Sequence, residues 1–184
     1  MLEYKGVDDL LAAFVSLPED VAACLTVAGQ CDDSGLRSRL CALARKGGGR
    51  VVLRLERIPE EEVVQLLNAA DVVVLPFRRV TTSGTAMLAL SHGRPLIVPD
   101  LPGLAEIPDQ AVLRYNGETP GLAAALAQLA RADGATLASM SAAADGYASR
   151  TTWEEIAKKT KAEMLSVLAT SAEADVPDRL VRAS

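Results

Sequence analysis

Aromatic residues are scarce in this chain of 184 residues, with one tryptophan, three tyrosines and two phenylalanines. A core built on large rings is therefore excluded, and Val, Leu, Ile and Ala must supply the buried surface. Hydrophobic residues make up 49% of the chain, which is enough for a full core. The length fits one domain of ordinary size.

Histidine and cysteine are also rare. Cys24, Cys31 and Cys41 form an odd set without a CxxC pair, which indicates reduced thiols rather than a disulfide framework. The single histidine, His92, stands where a helix is expected to end, a favourable position for a cation, and we interpret it as structural. His, Cys and Asp residues show no metal-ligand spacing, so we expect no metal site.

Several familiar motifs are missing. The chain contains neither a GxSxG nucleophile motif nor the glycine-rich patterns GxGxxG and GxxxxGKS/T. These absences argue against a nucleophile of that class and against NAD or ATP as the ligand. We therefore expect no cofactor.

Positive charge and long apolar runs are lacking too. The net charge is −5 and the isoelectric point is near 5.0, so the bulk charge gives no reason to expect nucleic acid or an anionic membrane as a partner. Apolar runs stay well short of the roughly 18 residues of a membrane span, and a signal peptide is not evident. We expect a soluble, cytoplasmic domain.

What the chain does contain is an alternation of predicted strands and helices. The predicted strands are 21–28, 51–55, 72–75, 96–98 and 111–115. The predicted helices are 7–14, 35–45, 60–70, 84–92, 119–131, 135–147 and 153–168. This alternation predicts an α/β fold in a single domain, a doubly wound Rossmann-like parallel sheet flanked by helices, with a long C-terminal helix.

Three segments carry more detailed expectations. Residues 72–75, three β-branched valines and a leucine, form an apolar run that is typical of a strand covered on both faces. The preceding helix has an expected buried stripe of apolar residues, Val63, Leu66, Leu67 and Ala70. Thr152 with Glu155 matches a capping box for the last helix, and Thr151 with Glu154 offers the alternative.

The stretch 71–100 is the most informative, because it combines buried strand, polar turn, small-residue helix and buried strand. The turn contains Thr81, Thr82, Ser83 and Gly84, and it stands where the helix begins. A helix N-terminus has unpaired N–H groups and the positive end of the macrodipole, so it suits a phosphate. Plain N-capping by Ser or Thr is the structural alternative.

The order of several motifs resembles one family. KG at 5–6, VAG at 27–29, ERIPEEEVVQLLNAADVVVLP at 56–76 and SGTAMLALSHGRPLIVPDLPGLAEI at 83–107 together resemble the C-terminal domain of GT-B glycosyltransferases. The nearest group is the group 1, mannosyltransferase-like retaining enzymes. The resemblance covers roughly residues 1–168. It implies a nucleotide-sugar-binding donor domain over 1–170, a flexible tail over 171–184, and a fragment without its N-terminal acceptor domain.

The resemblance also implies site residues. Lys5 matches the lysine that contacts the donor diphosphate, and Gly6 lets the next helix begin close to it. Ser83, Gly84 and Thr85 match the phosphate-binding helix N-terminus, where Thr82 adds a hydroxyl donor. Arg57 and Ile58 lie in the loop that meets the nucleobase.

Further residues are possible contacts. Gly103 and Glu106 belong to the loop under the donor sugar, and Glu106 could equally be an N-terminal helix charge. Arg78 and Arg79 could neutralise the departing diphosphate or be solvent-exposed. The family usually has two glutamates around the phosphate helix, whereas this chain has Val80 and Leu88 there, as in a branch with a Ser-Gly-Ser/Thr turn.

The resulting hypothesis is the donor-binding half of a retaining glycosyltransferase, a transferase that needs no metal. We expect this chain alone to be inactive, to bind a nucleotide sugar, and to pair with the missing N-terminal domain, which could make the protein membrane-peripheral. The last helix could also support self-association. The alternative is a non-catalytic Rossmann-like nucleotide-binding or scaffold module; a nucleotide-sugar epimerase is disfavoured by the single histidine and the missing glutamate pair.

Overall fold

A computed structural model describes residues 1–174 of the chain. It groups residues 1–148 into one compact unit, and a second unit begins at Ser149. The expected donor domain over 1–170 stays a prediction. The last helix continues to Ala174, beyond that boundary, and the rest of the expected tail, 175–184, lies outside the described residues.

The elements follow the predicted alternation. The strands are β1 (Leu25–Ala28), β2 (Val51–Arg54), β3 (Val73–Val74), β4 (Leu96–Pro99) and β5 (Val112–Tyr115). The α-helices are α1 (Val7–Val15), α2 (Ser34–Lys46), α3 (Glu60–Ala69), α4 (Gly84–Ser91), α5 (Thr119–Ala130), α6 (Gly134–Arg150) and α7 (Trp153–Ala174). Short 3-10 turns occupy Glu3–Lys5, Gly48–Arg50, Pro102–Leu104 and Asp109–Ala111. In this part of the chain, no helix has the length and apolarity needed to cross a membrane.

Capping side chains explain where several helices begin. The Asp33 carboxylate accepts a hydrogen bond from the Leu36 N–H at 2.7 Å and so starts α2. Thr152 Oγ1 accepts from the Glu155 N–H at 3.3 Å, which is the bond that the first of the two capping alternatives for α7 predicts. On α7 itself, Met164, Leu165, Val167 and Leu168 are exposed, and self-association through this helix stays a prediction.

The strands are paired in parallel, as predicted, but in two groups. β1 pairs with β2, and β4 lies between β3 and β5. β1 and β3 are not hydrogen-bonded to each other, so the sheet is interrupted between these two groups. The parallel α/β architecture with flanking helices is therefore confirmed, and its centre differs from one continuous sheet.

The buried core lies on both faces of the strands. On β4, the side chain of Ile97 points into a cluster formed with α1, α2 and α5, whereas Leu96 and Val98 point into a second cluster with α4. All four residues of β4 are buried. A strand covered in this way explains the unbroken apolar run in its sequence.

Two expectations of full burial are only partly met. The stripe of α3, composed of Val63, Leu66, Leu67 and Ala70, occupies the predicted face, but each residue is only half-buried. Both residues of β3 are half-buried as well. The reason is a cavity of about 890 Å³, lined by α3, β1 and β3 among other elements, at the interruption of the sheet.

Helix α4 offers a matched test of this packing. Leu90 is fully buried, whereas Leu88 is 41% exposed on the same helix. Leu90→Ala should lower the free energy of unfolding by about 2–5 kcal/mol, because it removes buried methyl groups and leaves a cavity. Urea unfolding measures this change.

Leu88→Ala is the control and should change the free energy of unfolding by no more than about 0.5 kcal/mol. Equal losses in the two variants would mean that the burial described for α4 is wrong.

Candidate functional site

The N-terminus of α4 combines a cap with unpaired backbone donors. Ser83 has extended backbone angles, and its Oγ accepts a hydrogen bond from the Ala86 N–H at 3.1 Å. The Ser83 carbonyl accepts from the Met87 N–H at 3.2 Å. The N–H groups of Gly84 and Thr85 belong to the first turn, where the helix itself provides no acceptor. Capping and anion binding are therefore compatible here, not alternatives.

The approach to this helix end is open. Thr82, Gly84 and Thr85 are exposed. A Cβ placed on Gly84 would meet no heavy atom within 4 Å outside its own neighbourhood. The positive end of the helix macrodipole therefore faces accessible space, which is the arrangement that an anionic group requires.

Gly6 brings the N-terminal segment to the end of β3. It has a φ of 62°, and a Cβ at this position would overlap the carbonyl oxygen of Pro76, so only glycine allows this approach. The Arg78 N–H donates to the Tyr4 carbonyl at 2.8 Å beside it. Lys5, the neighbour of Gly6, lines the central cavity together with Thr85 and Ile58. Three separate predicted site segments thus meet around one cavity.

Gly103 brings the 100–106 loop against the turn before α4. A Cβ on Gly103 would overlap the Val80 carbonyl oxygen and would lie only 2.7 Å from that of Thr81. Contact at this distance leaves no room for a side chain. The structure therefore places the predicted sugar loop next to the predicted phosphate turn, with Glu106 exposed in that loop.

Arg78 is exposed, as one of its two alternatives expected, and it also forms ion pairs that neither alternative included. Its guanidinium donates to Asp9 Oδ2 at 2.8 Å and to Asp8 Oδ1 at 2.9 Å, both in the first turn of α1, and to the Glu3 carbonyl at 2.9 Å. The hydrogen bond to Asp9 is the largest cause that raises the pKa of Arg78 above its ordinary value. Arg78 thus joins two segments of the protein, and its charge is matched by nearby carboxylates.

Arg79 and Arg57 are exposed as well. The Arg79 guanidinium lies 6.0 Å from the centre of the Tyr4 ring, within the range of a cation–π contact. Arg57 is exposed in the loop after β2, next to the half-buried Ile58. Arg54 in the same region is paired with Glu56 and Glu62. Glu62, from the acidic start of α3, therefore serves an ion pair.

The two positions where glutamates are usual hold apolar side chains in different surroundings. Val80 is half-buried against the core cluster of α4, whereas Leu88 is exposed. Among the described side chains, His, Cys, Asp and Glu form no group of three that could hold a metal ion. His92 Nδ1 lies 3.2 Å from Asn68 Oδ1 at the end of α4, in keeping with a structural role.

The chain is similar to known glycosyltransferases. A family model described as glycosyl transferases group 1 matches residues 1–132. A D-inositol 3-phosphate glycosyltransferase from Corynebacterium urealyticum is 33% identical over 164 residues, covering 84% of this chain and 38% of that protein. A GDP-mannose:glycolipid 4-beta-D-mannosyltransferase from Xanthomonas campestris pv. campestris is 31% identical over 119 residues, covering 62% of this chain and 34% of that protein. The chain thus spans little more than a third of the length of these relatives.

Solved structures share the fold. A sucrose-phosphate synthase from Thermosynechococcus elongatus matches with a TM-score of 0.75 at 24% identity, covering 92% of this chain and 44% of that one. Anabaena HepE, solved in complex with UDP, matches with a TM-score of 0.73 at 19% identity, covering 90% of this chain and 46% of that one. The α/β arrangement described above therefore recurs as part of larger proteins.

The close approach at Gly103 can be tested by adding one methyl group. Gly103→Ala should lower the free energy of unfolding by about 1–3 kcal/mol, because the new Cβ meets two backbone carbonyl oxygens. Chemical denaturation measures the loss.

Gly49→Ala is its control, since a Cβ at Gly49 would meet no heavy atom within 4 Å. If Gly103→Ala proved as stable as Gly49→Ala, the packing of the 100–106 loop against the turn would be refuted.

Tyr115, at the end of β5, gives a test at alkaline pH. Burial, with the negative charge of Asp9 as a second cause, raises the pKa of Tyr115 to about 12. Above the ordinary tyrosine pKa of about 10, the unfolded chain loses this proton while the folded protein keeps it, so the free energy of unfolding falls as pH rises towards 12.

Tyr115→Phe should therefore flatten this decline, by at most about 1.4 kcal/mol per pH unit. Denaturation curves of both proteins at pH values on either side of 10 provide the measurement. An identical pH dependence in the two proteins would contradict the assignment.

Proposed function

Because this chain belongs to the group 1 glycosyltransferase family, we propose that it is the donor-binding half of a retaining enzyme of the GT-B class. Such an enzyme transfers a sugar from a nucleoside diphosphate sugar to an acceptor. The observation that carries the proposal is the open N-terminus of α4. Its Thr85 lines one cavity with Lys5, and the turn before it meets Gly103 of the 100–106 loop. One anionic ligand in that position would be reached from three segments of the protein.

A nucleoside diphosphate is the ligand class with the broadest support. Anabaena HepE was solved in complex with UDP, and the Xanthomonas relative is named for GDP-mannose. The bases differ, but the diphosphate is common to both. We therefore assign the diphosphate to the N–H groups of Gly84 and Thr85 and to the Lys5 ammonium, and leave the base to be identified by titration.

The chemistry of this arrangement is charge stabilisation. When the bond between the sugar carbon and the diphosphate oxygen breaks, negative charge develops on the leaving diphosphate. Fixed N–H donors, a helix dipole and one ammonium oppose that charge without reorganising. The Ser83 hydroxyl already accepts from Ala86, so its role is to fix the turn and to offer its own proton to a phosphate oxygen.

A non-catalytic binding or scaffold module is the second candidate. It is favoured by Val80 and Leu88, which place no carboxylate where the family usually has one. Lys5→Ala discriminates between the two: in a full-length enzyme that transfers sugar, this variant should lose activity under the first proposal. The epimerase remains disfavoured, because the one histidine is engaged with Asn68.

We propose further properties of the whole protein. Its partner domain is an N-terminal acceptor domain, and the present 184 residues are inactive without it. The reaction needs no metal or cofactor, and the protein is cytoplasmic. The short share of the relatives' length that this chain spans supports the first two.

Gly84→Ala tests the site without disturbing the fold. Open space surrounds Gly84, and alanine favours a helix over glycine by up to about 1 kcal/mol, so stability should stay equal or rise. Affinity for UDP or GDP should nevertheless fall at least about tenfold, because a methyl group blocks the approach of a phosphate to the backbone. Calorimetric titration of the purified chain measures both nucleotides.

Gly134→Ala is the matched control. Gly134 is also the first residue of a helix and also has open space around it, but α6 begins where α5 has returned to the opposite edge of the strands. The affinity of Gly134→Ala for UDP and GDP should equal that of the parent chain. If neither nucleotide binds the parent chain, or if Gly84→Ala binds as well as Gly134→Ala, the proposal fails.

A further inference from the structure

Arg114 lies on β5 at a position where the alternation of the strand favours an apolar side chain. Val112, two residues earlier, is buried in the core cluster of α4, and side chains two apart on a strand share one face. Arg114 pairs in register with Val98 of β4, which is fully buried in the same cluster. The Arg114 side chain is only 20% exposed. A guanidinium in this place needs hydrogen-bond acceptors from the groups around it.

The 100–106 loop and the residues that follow it supply these acceptors. Arg114 Nη2 donates to the Leu104 carbonyl at 3.1 Å and to the Ile107 carbonyl at 2.8 Å, and Nε donates to Asp109 Oδ1 at 2.9 Å. Nη1 is buried and has no hydrogen-bond partner among the described residues. Because a buried donor without a partner costs free energy, the stability of the fold alone does not account for an arginine at this position.

The two carbonyls that Arg114 binds lie on either side of two exposed residues, Ala105 and Glu106. The side chains of Leu104 and Ile107 are themselves buried in the core cluster of α4. Burial of these two side chains sets how deep the loop lies, and the hydrogen bonds from Arg114 set how the backbone between them is turned. One guanidinium nitrogen therefore holds the chain on both sides of Glu106.

Glu106 is available to a ligand. In the part of the chain that the structure describes, no hydrogen bond or ion pair engages its carboxylate. The next α-helix begins at Thr119, so this charge does not serve the start of an α-helix. Gly103, three residues earlier, contacts the turn before α4. A carboxylate accepts hydrogen bonds from hydroxyl groups, which are the groups that a sugar offers.

We propose that Arg114 is a positioning residue, which fixes the direction in which Glu106 is presented to the sugar of a bound donor. This inference rests on the proposed function, since it takes a nucleoside diphosphate sugar as the ligand. Arg114 acts through the backbone of the loop and does not touch the donor. It therefore changes the affinity for the sugar part of the donor and leaves the contacts of the diphosphate with Lys5 and α4 as they are.

The test compares the intact chain with Arg114→Met, which keeps an apolar side chain and removes the donors. Calorimetric titration with GDP-mannose against GDP, and with UDP-glucose against UDP, measures the preference for a sugar nucleotide over the nucleotide alone. Arg114→Met should lower this preference about three- to tenfold, as expected for the loss of one hydrogen bond, while the affinity for the nucleotide alone stays the same.

A double-mutant cycle shows whether Arg114 acts through Glu106. Glu106→Ala should lower the preference by a similar factor, and adding Arg114→Met should lower it no further, because both changes remove the same interaction. Arg131→Met is the matched control, since Arg131 forms an exposed ion pair with Asp20, and its preference should equal that of the parent chain. If Arg114→Met does not fold, Arg114→Lys replaces it; its ammonium lacks the planar fork, so the preference should fall as well.

The outcomes separate this inference from the proposed function. An unchanged preference in a folded Arg114 variant, an equal loss of affinity for the nucleotide alone, or a further loss when Arg114→Met is added to Glu106→Ala would overturn the inference and leave the proposed function standing. A parent chain that binds neither nucleotide would refute the proposed function and the inference with it.

Discussion

The contact between the start of α1 and the end of β3 is the constraint on which the candidate site depends. Arg78 is held by Asp8 and Asp9, and the carbonyl of Pro76 occupies the place where Gly6 would otherwise carry a side chain. The ion pairs are partly exposed, so each stabilises the fold by about 1 kcal/mol or less. Their importance is positional, because they bring Lys5 towards the turn that precedes α4. A local contact of modest strength therefore organises residues far apart in the chain.

Local patterns in the sequence predicted the elements well, and the centre of the sheet less well. The apolar run of β4 and the cap of α4 depend on neighbouring residues, so spacing and residue type were sufficient to find them. The half-burial of Val63 and Val74 depends on which strands pair, and pairing is decided by contacts distant in sequence. An apolar stripe in the sequence indicates which face of a helix can be buried. How much of that face is buried depends on the elements that pack against it.

The candidate site likewise combines residues that local sequence predicts with contacts between residues distant in sequence. Ser83 was identifiable from its position before a helix, and the glycines at 6 and 103 from their places in loops at the carboxyl ends of strands. The pairing of Arg78 with Asp8 and Asp9 joins residues about seventy positions apart, and no periodicity connects them. Asp8 and Asp9, which follow Gly6 and Val7 in the first turn of α1, were the available sign, since such charges favour a helix start and can also attract a distant cation.

The loose burial of α3 has a consequence for how the protein opens locally. α1 has four buried residues, whereas α3 has none, so α3 loses less buried apolar contact than α1 when it unfolds by itself. Exchange of the α3 amides with solvent should therefore report local opening, whereas exchange of the α1 amides should report unfolding of the core.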